Sequence, residues 1–169
     1  MSSGFNSDKV LQQFFLDIIK KLPVSSFIET GTYLGHTTYF VANSNPSFPI
    51  YTCEVNKTYH DKSVKVLGQF KNVTIYNESS EKIIARLISQ QVLGPLPLFF
   101  LDAHWYNYWP LVDEMVEISK LDRSIVMIHD FKVPGKPEFH FDIGGGGSQK
   151  FSGKTIKDRR PCDINLIQD

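Results

Sequence analysis

This 169-residue chain predicts a doubly wound α/β fold, with a mostly parallel sheet and helices on both faces. Three observations carry that expectation. Helix-period segments alternate with short strand-like runs across short connections, the pattern of βαβ units. The strand LPLFFLDA (96–103) is nearly all apolar, as suits a strand covered on both faces of a parallel sheet. With 41% hydrophobic and 21% charged residues, a chain of this length builds one core without disulfides or a structural metal.

The elements follow in order. Residues 8–21 place Val10, Leu11, Phe14, Phe15, Ile18 and Ile19 on one helical face, with Asp8 opening the helix and Pro23 closing it. SSFIET (25–30) is a short strand, and the Gly-containing turn 31–35 leads into a helix at 36–44. PIYTCEV (49–55) is a second strand, followed by a helix over about 58–70. NVTIYN (72–77) is a third strand, and Ser79 or Ser80 caps a helix running to about 91. After the fourth strand come a helix from Pro110 to Lys120 and a fifth strand, SIVMIHDF (124–131). Residues 1–133 therefore read as the folded domain. Residues 134–169, with Pro134, Pro137 and the linker-like GGGGS at 144–148, read as a tail, that run being either a natural loop or an engineered junction.

Lys+Arg and Asp+Glu both number 18, and no basic block stands out, so the chain lacks the electrostatic footprint of a nucleic-acid binder or a membrane-surface protein. Two cysteines, Cys53 and Cys162, are too few for a disulfide framework and point to a reducing cytoplasm. The first residues hold no signal peptide pattern, and no apolar run approaches the ~18 residues that span a bilayer.

The stretch ETGTYLGHTT (29–38) is the most informative. A strand ends at an acid, a glycine-bearing turn follows and a helix begins. Gly31 can take φ > 0 and admits a ligand close to the backbone, while Gly35 permits tight packing at the helix start. The helix N-terminus suits a carboxylate or phosphate. No third glycine stands at the dinucleotide-fingerprint position, which argues against a nicotinamide cofactor. Glu29 would repel a phosphate but accept an ammonium group, so the turn suits a zwitterionic amino-acid moiety.

With FLDAHW (100–105) and IHDF (128–131), this stretch resembles the class I S-adenosylmethionine-dependent methyltransferases, most closely the small-molecule O-methyltransferase branch that includes macrocin-type enzymes. The resemblance covers about residues 24–134. It implies a Rossmann-like fold, here with its C-terminal strands short or missing. It also implies S-adenosyl-L-methionine as cofactor and a small hydroxylated acceptor. Glu29, Gly31 and Gly35 match the first motif, and Tyr33 stands where a middle glycine is often found. Glu54, about twenty residues past the turn, belongs where a carboxylate accepts both ribose hydroxyls, unless it is a solvated strand-end charge. Glu78 and Ser79 resemble the segment contacting adenine, although Ser79 and Ser80 also make sense as helix caps.

Asp102, counted among the cofactor contacts as well, and Asp130 end the fourth and fifth strands, where open α/β sheets bind ligands. Two chemistries fit. In one, Asp102 and Asp130 hold Mg²⁺ or another divalent cation that activates the acceptor hydroxyl, as the resemblance implies. In the other, His104 or His129 is a metal-free general base. Phe131 stands where the family commonly adds a third Asp or Asn, imidazole invites a softer metal, and His129 also reads as a core histidine. Trp105, Tyr106, Tyr108 and Trp109 either wall a pocket or pack their loop, and Asp113 and Glu114 read as favourable charges at a helix start. An exposed fifth strand invites pairing, hence a homodimer through the sheet edge or a covering tail. A non-catalytic module on this fold and a metal-dependent hydroxylase or hydrolase are the alternatives.

Overall fold

The structure is a computed structural model, and it describes residues 4–44, 46–104, 109–137, 141, 143–144, 150–151, 154–155 and 160–167. The expected Trp105, Tyr106 and Tyr108 wall and most of the glycine run fall outside these residues. The architecture is Rossmann-like: one parallel five-stranded sheet with helices on both faces. Its strands are β1 (Ser26–Thr30), β2 (Ile50–Cys53), β3 (Val73–Tyr76), β4 (Pro97–Leu101) and β5 (Ile125–Ile128), in the order β3-β2-β1-β4-β5.

Alternation along the strands sorts side chains between two apolar layers. Phe27, Ile50, Leu98, Phe100 and Met127 face α1 (Lys9–Lys21) and α2 (His36–Asn43), joining Phe15, Ile18 and Val41. Ile28, Cys53, Phe99 and Leu101 face the other way, onto Ile83, Ile84 and Leu87 of α4 (Ser80–Ser89) and Leu111 and Ile118 of α5 (Leu111–Ile118). Between β2 and β3 runs α3 (Lys57–Leu67), capped by the Asn56 side chain, which accepts from the Thr58 and Tyr59 N–H groups.

The first helix departs from expectation. Asp8 is its N-cap, accepting from Val10 and Leu11 N–H. Yet Val10 is 80% and Phe14 56% exposed, while Gln12 is buried. The reason lies upstream, in a 3₁₀ turn at Phe5–Ser7 that folds back over the helix start. Phe5 packs against the rings of Phe15, Phe40 and Phe100, and the Gln12 amide donates to Gly4 O at 2.8 Å. The α4 cap also differs: Ser79 occupies the N-cap position, but its hydroxyl donates to Glu81 Oε1 instead of capping the helix.

After β5 the chain adds two short antiparallel ladders, β6 (Ile143–Gly144) with β9 (Arg160–Pro161) and β7 (Lys150–Phe151) with β8 (Lys154–Thr155), then the short helix α6 (Ile164–Ile167). Neither extends the main sheet, so β3 and β5 are its two edges among the described residues. The tail nonetheless returns to the core: Cys162 is buried in the α4–α5 layer, and its carbonyl accepts from Lys132 N–H at 2.6 Å. Among the described residues no helix is long and apolar enough to cross a membrane.

The observed burial separates two residues that the helical pattern treated alike. Phe15→Ala is expected to cost about 3–5 kcal/mol in urea unfolding, the usual loss for a buried aromatic. Val10→Ala should stay within about 0.5 kcal/mol.

Candidate functional site

The carboxyl ends of β1, β2, β4 and β5 converge, and every candidate except Glu78 and Ser79 lies there. Parallel register sets the geometry. Thr30 pairs with Leu101 and Leu101 with Ile128, so Asp102 and His129 leave adjacent strands side by side. The ladder continues past the strands through Asp102 N–H to Thr30 O at 3.3 Å and His129 N–H to Leu101 O at 3.0 Å.

The β1–α2 turn is pressed against β4. Gly31 has φ 79°, and a Cβ there would lie 2.8 Å from the Asp102 carbonyl oxygen. The close approach that Gly31 permits is therefore to the neighbouring strand. Gly35, at φ 82°, seats the start of α2 on Leu67. Glu29 lies beneath this turn on the α2 side and is 2% exposed. Its carboxylate accepts from the Thr38 hydroxyl and, at 3.0 Å, from Thr52, which is in turn 2.5 Å from the Thr32 hydroxyl. Burial pushes Glu29 up to about 8, against the pull of the Thr38 and Thr52 hydroxyls.

Glu54 ties the neighbouring turns together. It is 3% exposed, with Oε2 accepting from Tyr33 N–H and Oε1 from Asn56 N–H, both at 2.8 Å. That bond helps to hold Tyr33 at φ 48°, and the Tyr33 ring meets Tyr59 edge-on at 4.5 Å. The adenine candidates point elsewhere, Glu78 pairing with Arg86 and Ser79 with Glu81.

At the ends of β4 and β5, His129 Nδ1 lies 3.1 Å from Asp102 Oδ1 and 2.9 Å from Asp130 Oδ2. Both are ion-pair contacts, and neither has the alignment of a hydrogen bond. Burial pulls the imidazole down, but the two carboxylates outweigh it and raise His129 to about 10. Asp130 reaches this position from φ 50°, a strained conformation for a residue with a side chain. Potential ligand atoms of Asp102, His129 and Asp130 all lie within 4.8 Å of one another. Two carboxylate oxygens and an imidazole nitrogen are a donor set that suits a divalent cation. His104, exposed, lines the same small cavity without joining the ion pairs.

Two contributors escaped the sequence reading. Asn6 lies within 3.4 Å of His129 Nε2, an approach made only because the 3₁₀ turn folds back. Glu114 does sit in the first turn of α5 beside Asp113, but it is fully buried and faces the cavity instead of serving as a solvated helix-end charge. Burial pushes Glu114 up to about 7, while the nearby Ser80 and Thr30 hydroxyls hold it down. Trp109, the aromatic of its loop that the structure describes, is buried against the cavity.

No family model matches the sequence, and no curated protein does. Solved structures do. The N-terminal domain of EvdMO1 with SAH bound aligns at 13% identity with a TM-score of 0.51, over 70% of this chain and 47% of that one. The same domain in the presence of SAH and D-fucose aligns at 13% identity and TM-score 0.51, over 70% and 48%. The chain thus spans about half the length of these matched chains, and the likeness is one of fold.

All three shifts favour the protonated form in the folded state. A carboxyl raised from 4.5 to about 8 or 7 contributes stability that is complete below about pH 4.5 and lost as pH rises through the folded value. His129, raised from 6.5 to about 10, contributes below about pH 6.5 and loses this through about pH 10. Urea midpoints should therefore fall from pH 5.5 to pH 9.5, and Glu29→Gln with Glu114→Gln should flatten the part below about pH 8.

Proposed function

We propose that this protein is an S-adenosylmethionine-dependent methyltransferase acting on a hydroxyl of a small molecule, with a divalent cation at Asp102, His129 and Asp130. The observation that carries the reading is the convergence of those three side chains on the strand ends beside the glycine turn. The fold shared with an SAH-bound domain and the sequence resemblance support it. Reaction type, cation, acceptor and a cytoplasmic location all belong to this proposal, as does pairing of a second copy along the open edge of β5.

S-adenosylmethionine would supply an electrophilic methyl group. The chain would bind it across the ends of β1 and β2. The α2 N-terminus takes the methionine carboxylate. Glu54 takes the ribose through lone pairs left over from the Tyr33 and Asn56 N–H groups. Glu29 acts from beneath, fixing the turn through Thr38 and Thr52. Asp102 and Asp130 orient the acceptor towards the methyl group, and such alignment supplies much of the acceleration. A cation there would lower the pKa of the acceptor hydroxyl. Asp102, Asp130 and the His129 imidazole would hold it, His129 in its neutral form. In the metal-free alternative His129 is a poor base at neutral pH, since it holds its proton up to about pH 10. His104, exposed at the cavity, then takes the hydroxyl proton.

A second reading has an observation of its own. Glu29 and Glu54 are buried and satisfied by the protein itself, as suits a module that keeps the fold without turnover.

Calorimetry with SAH is expected to give micromolar binding. Glu54→Gln should weaken it about tenfold or more, because a hydrogen bond to a charged group is worth about 1.5–3 kcal/mol. Methyl transfer from labelled S-adenosylmethionine to a panel of hydroxylated small molecules should then follow and depend on Asp102. A folded protein that binds neither SAH nor S-adenosylmethionine overturns the reading, and binding without any transfer favours the non-catalytic module.

A further inference from the structure

The cavity beside the three strand-end residues has one lining acid that the proposed reaction leaves unused. Asp102, His104, His129 and Asp130 line it, and so does Glu114 of α5. Glu114 is 0% exposed; the Ser80 and Thr30 hydroxyls stand beside its carboxylate, but neither oxygen has a hydrogen bond of good geometry. The groups that act on it most are the Ser80 and Thr30 hydroxyls and the acids Glu81 from α4 and Asp113 from its own helix, with Cys53 from β2 nearby and His129 in the same cavity. The Ser80 hydroxyl is itself unpartnered. A buried carboxylate with only two poorly aligned hydroxyls beside it gains from a further donor.

The cavity measures about 10 Å³, room for a single water. Glu114 lies outside the group of ligand atoms that fall within 4.8 Å of one another, so it does not reach a cation at that group directly. We propose that Glu114 is an outer-sphere ligand. It accepts a hydrogen bond from one cavity water that is coordinated to the divalent cation held by Asp102, His129 and Asp130. This rests on the cation reading of the site given above.

The chemistry of the cation agrees with the placement. Mg²⁺ and cations like it dehydrate reluctantly and keep several waters, and each retained water needs an acceptor. A buried carboxylate whose oxygens have no well-aligned donor meets that need, and its negative charge partners the cation across one water. Thr30 links Asp102 to Glu114, since its hydroxyl accepts from Asp102 N–H at 3.2 Å and stands beside Glu114. Carboxylates in this outer position typically carry about 10–100-fold of a site's metal affinity.

The test is calorimetric titration of the full chain at pH 7.5 with Mn²⁺ and with Mg²⁺, alongside Glu114→Gln, Glu114→Asp and Asp102→Asn. Glu114→Gln should weaken Mn²⁺ binding about 10–100-fold, Glu114→Asp should fall between it and the wild type, and Asp102→Asn should abolish binding. Water-proton relaxation by bound Mn²⁺ should drop in Glu114→Gln, as one ordered water is lost. The melting temperature of the cation-free Glu114→Gln protein should equal or exceed that of the wild type, which excludes misfolding as the cause. Affinity within twofold of wild type in Glu114→Gln, where Asp102→Asn has lost binding, overturns the role of Glu114. A wild-type protein that takes up neither ion removes the premise, while SAH binding still judges the methyltransferase reading on its own.

Discussion

The parallel register of β1, β4 and β5 is the constraint on which the site depends. One residue of slip in β4 would turn Phe99 and Leu101 to the wrong layer and carry Asp102 away from His129. The two core layers therefore enforce the chemistry at the strand ends: Phe100 belongs with Phe5 and Phe27, Leu101 with Leu111, and once both are seated Asp102 has one place to go. Gly31 makes the same point from the turn. Its missing Cβ is what lets β1 leave the sheet against the Asp102 carbonyl.

Acidic groups gather at this end of the sheet: Glu29, Glu54, Asp102, Glu114 and Asp130. Each has its own solution to burial. Glu29 is surrounded by hydroxyls, Glu54 takes backbone N–H groups, and Asp102 and Asp130 share an imidazolium. Glu114 has only the Ser80 and Thr30 hydroxyls beside it, and its buried oxygens lack a hydrogen bond of good geometry. The site thus carries more negative charge than His129 balances, which suits a positively charged guest more than a phosphate.

The strands, the helices and the strand-end aspartates were legible because each rests on local pattern. LPLFFL announces a buried strand, and a polar residue at its end stands out. Glu29 and Glu54 could be found but not oriented, because their bonds to Thr38, Thr52, Tyr33 and Asn56 cross between elements. Helical spacing placed Phe14 beside Phe15 in the core. It had no means of seeing that Phe5 and Gly4 would fold over and draw in Gln12. Glu114 was hidden for a related reason: an acid in a first helical turn has a sufficient local explanation, and only the packing of α5 on α4 reveals that it is buried.

The strand order β3-β2-β1-β4-β5 also has a consequence for how the chain is made. Of these five strands the first in the chain is the central one; β2 and β3 lie outward on one side, and β4 and β5 outward on the other. Each newly synthesised strand finds an edge already waiting, and none has to be inserted between two that have paired. The glycine turn is completed only by β4, against whose Asp102 carbonyl Gly31 lies, and the Asp102–His129–Asp130 cluster needs β5 as well. The site is therefore divided among strands far apart in the chain, and no single βαβ unit holds it.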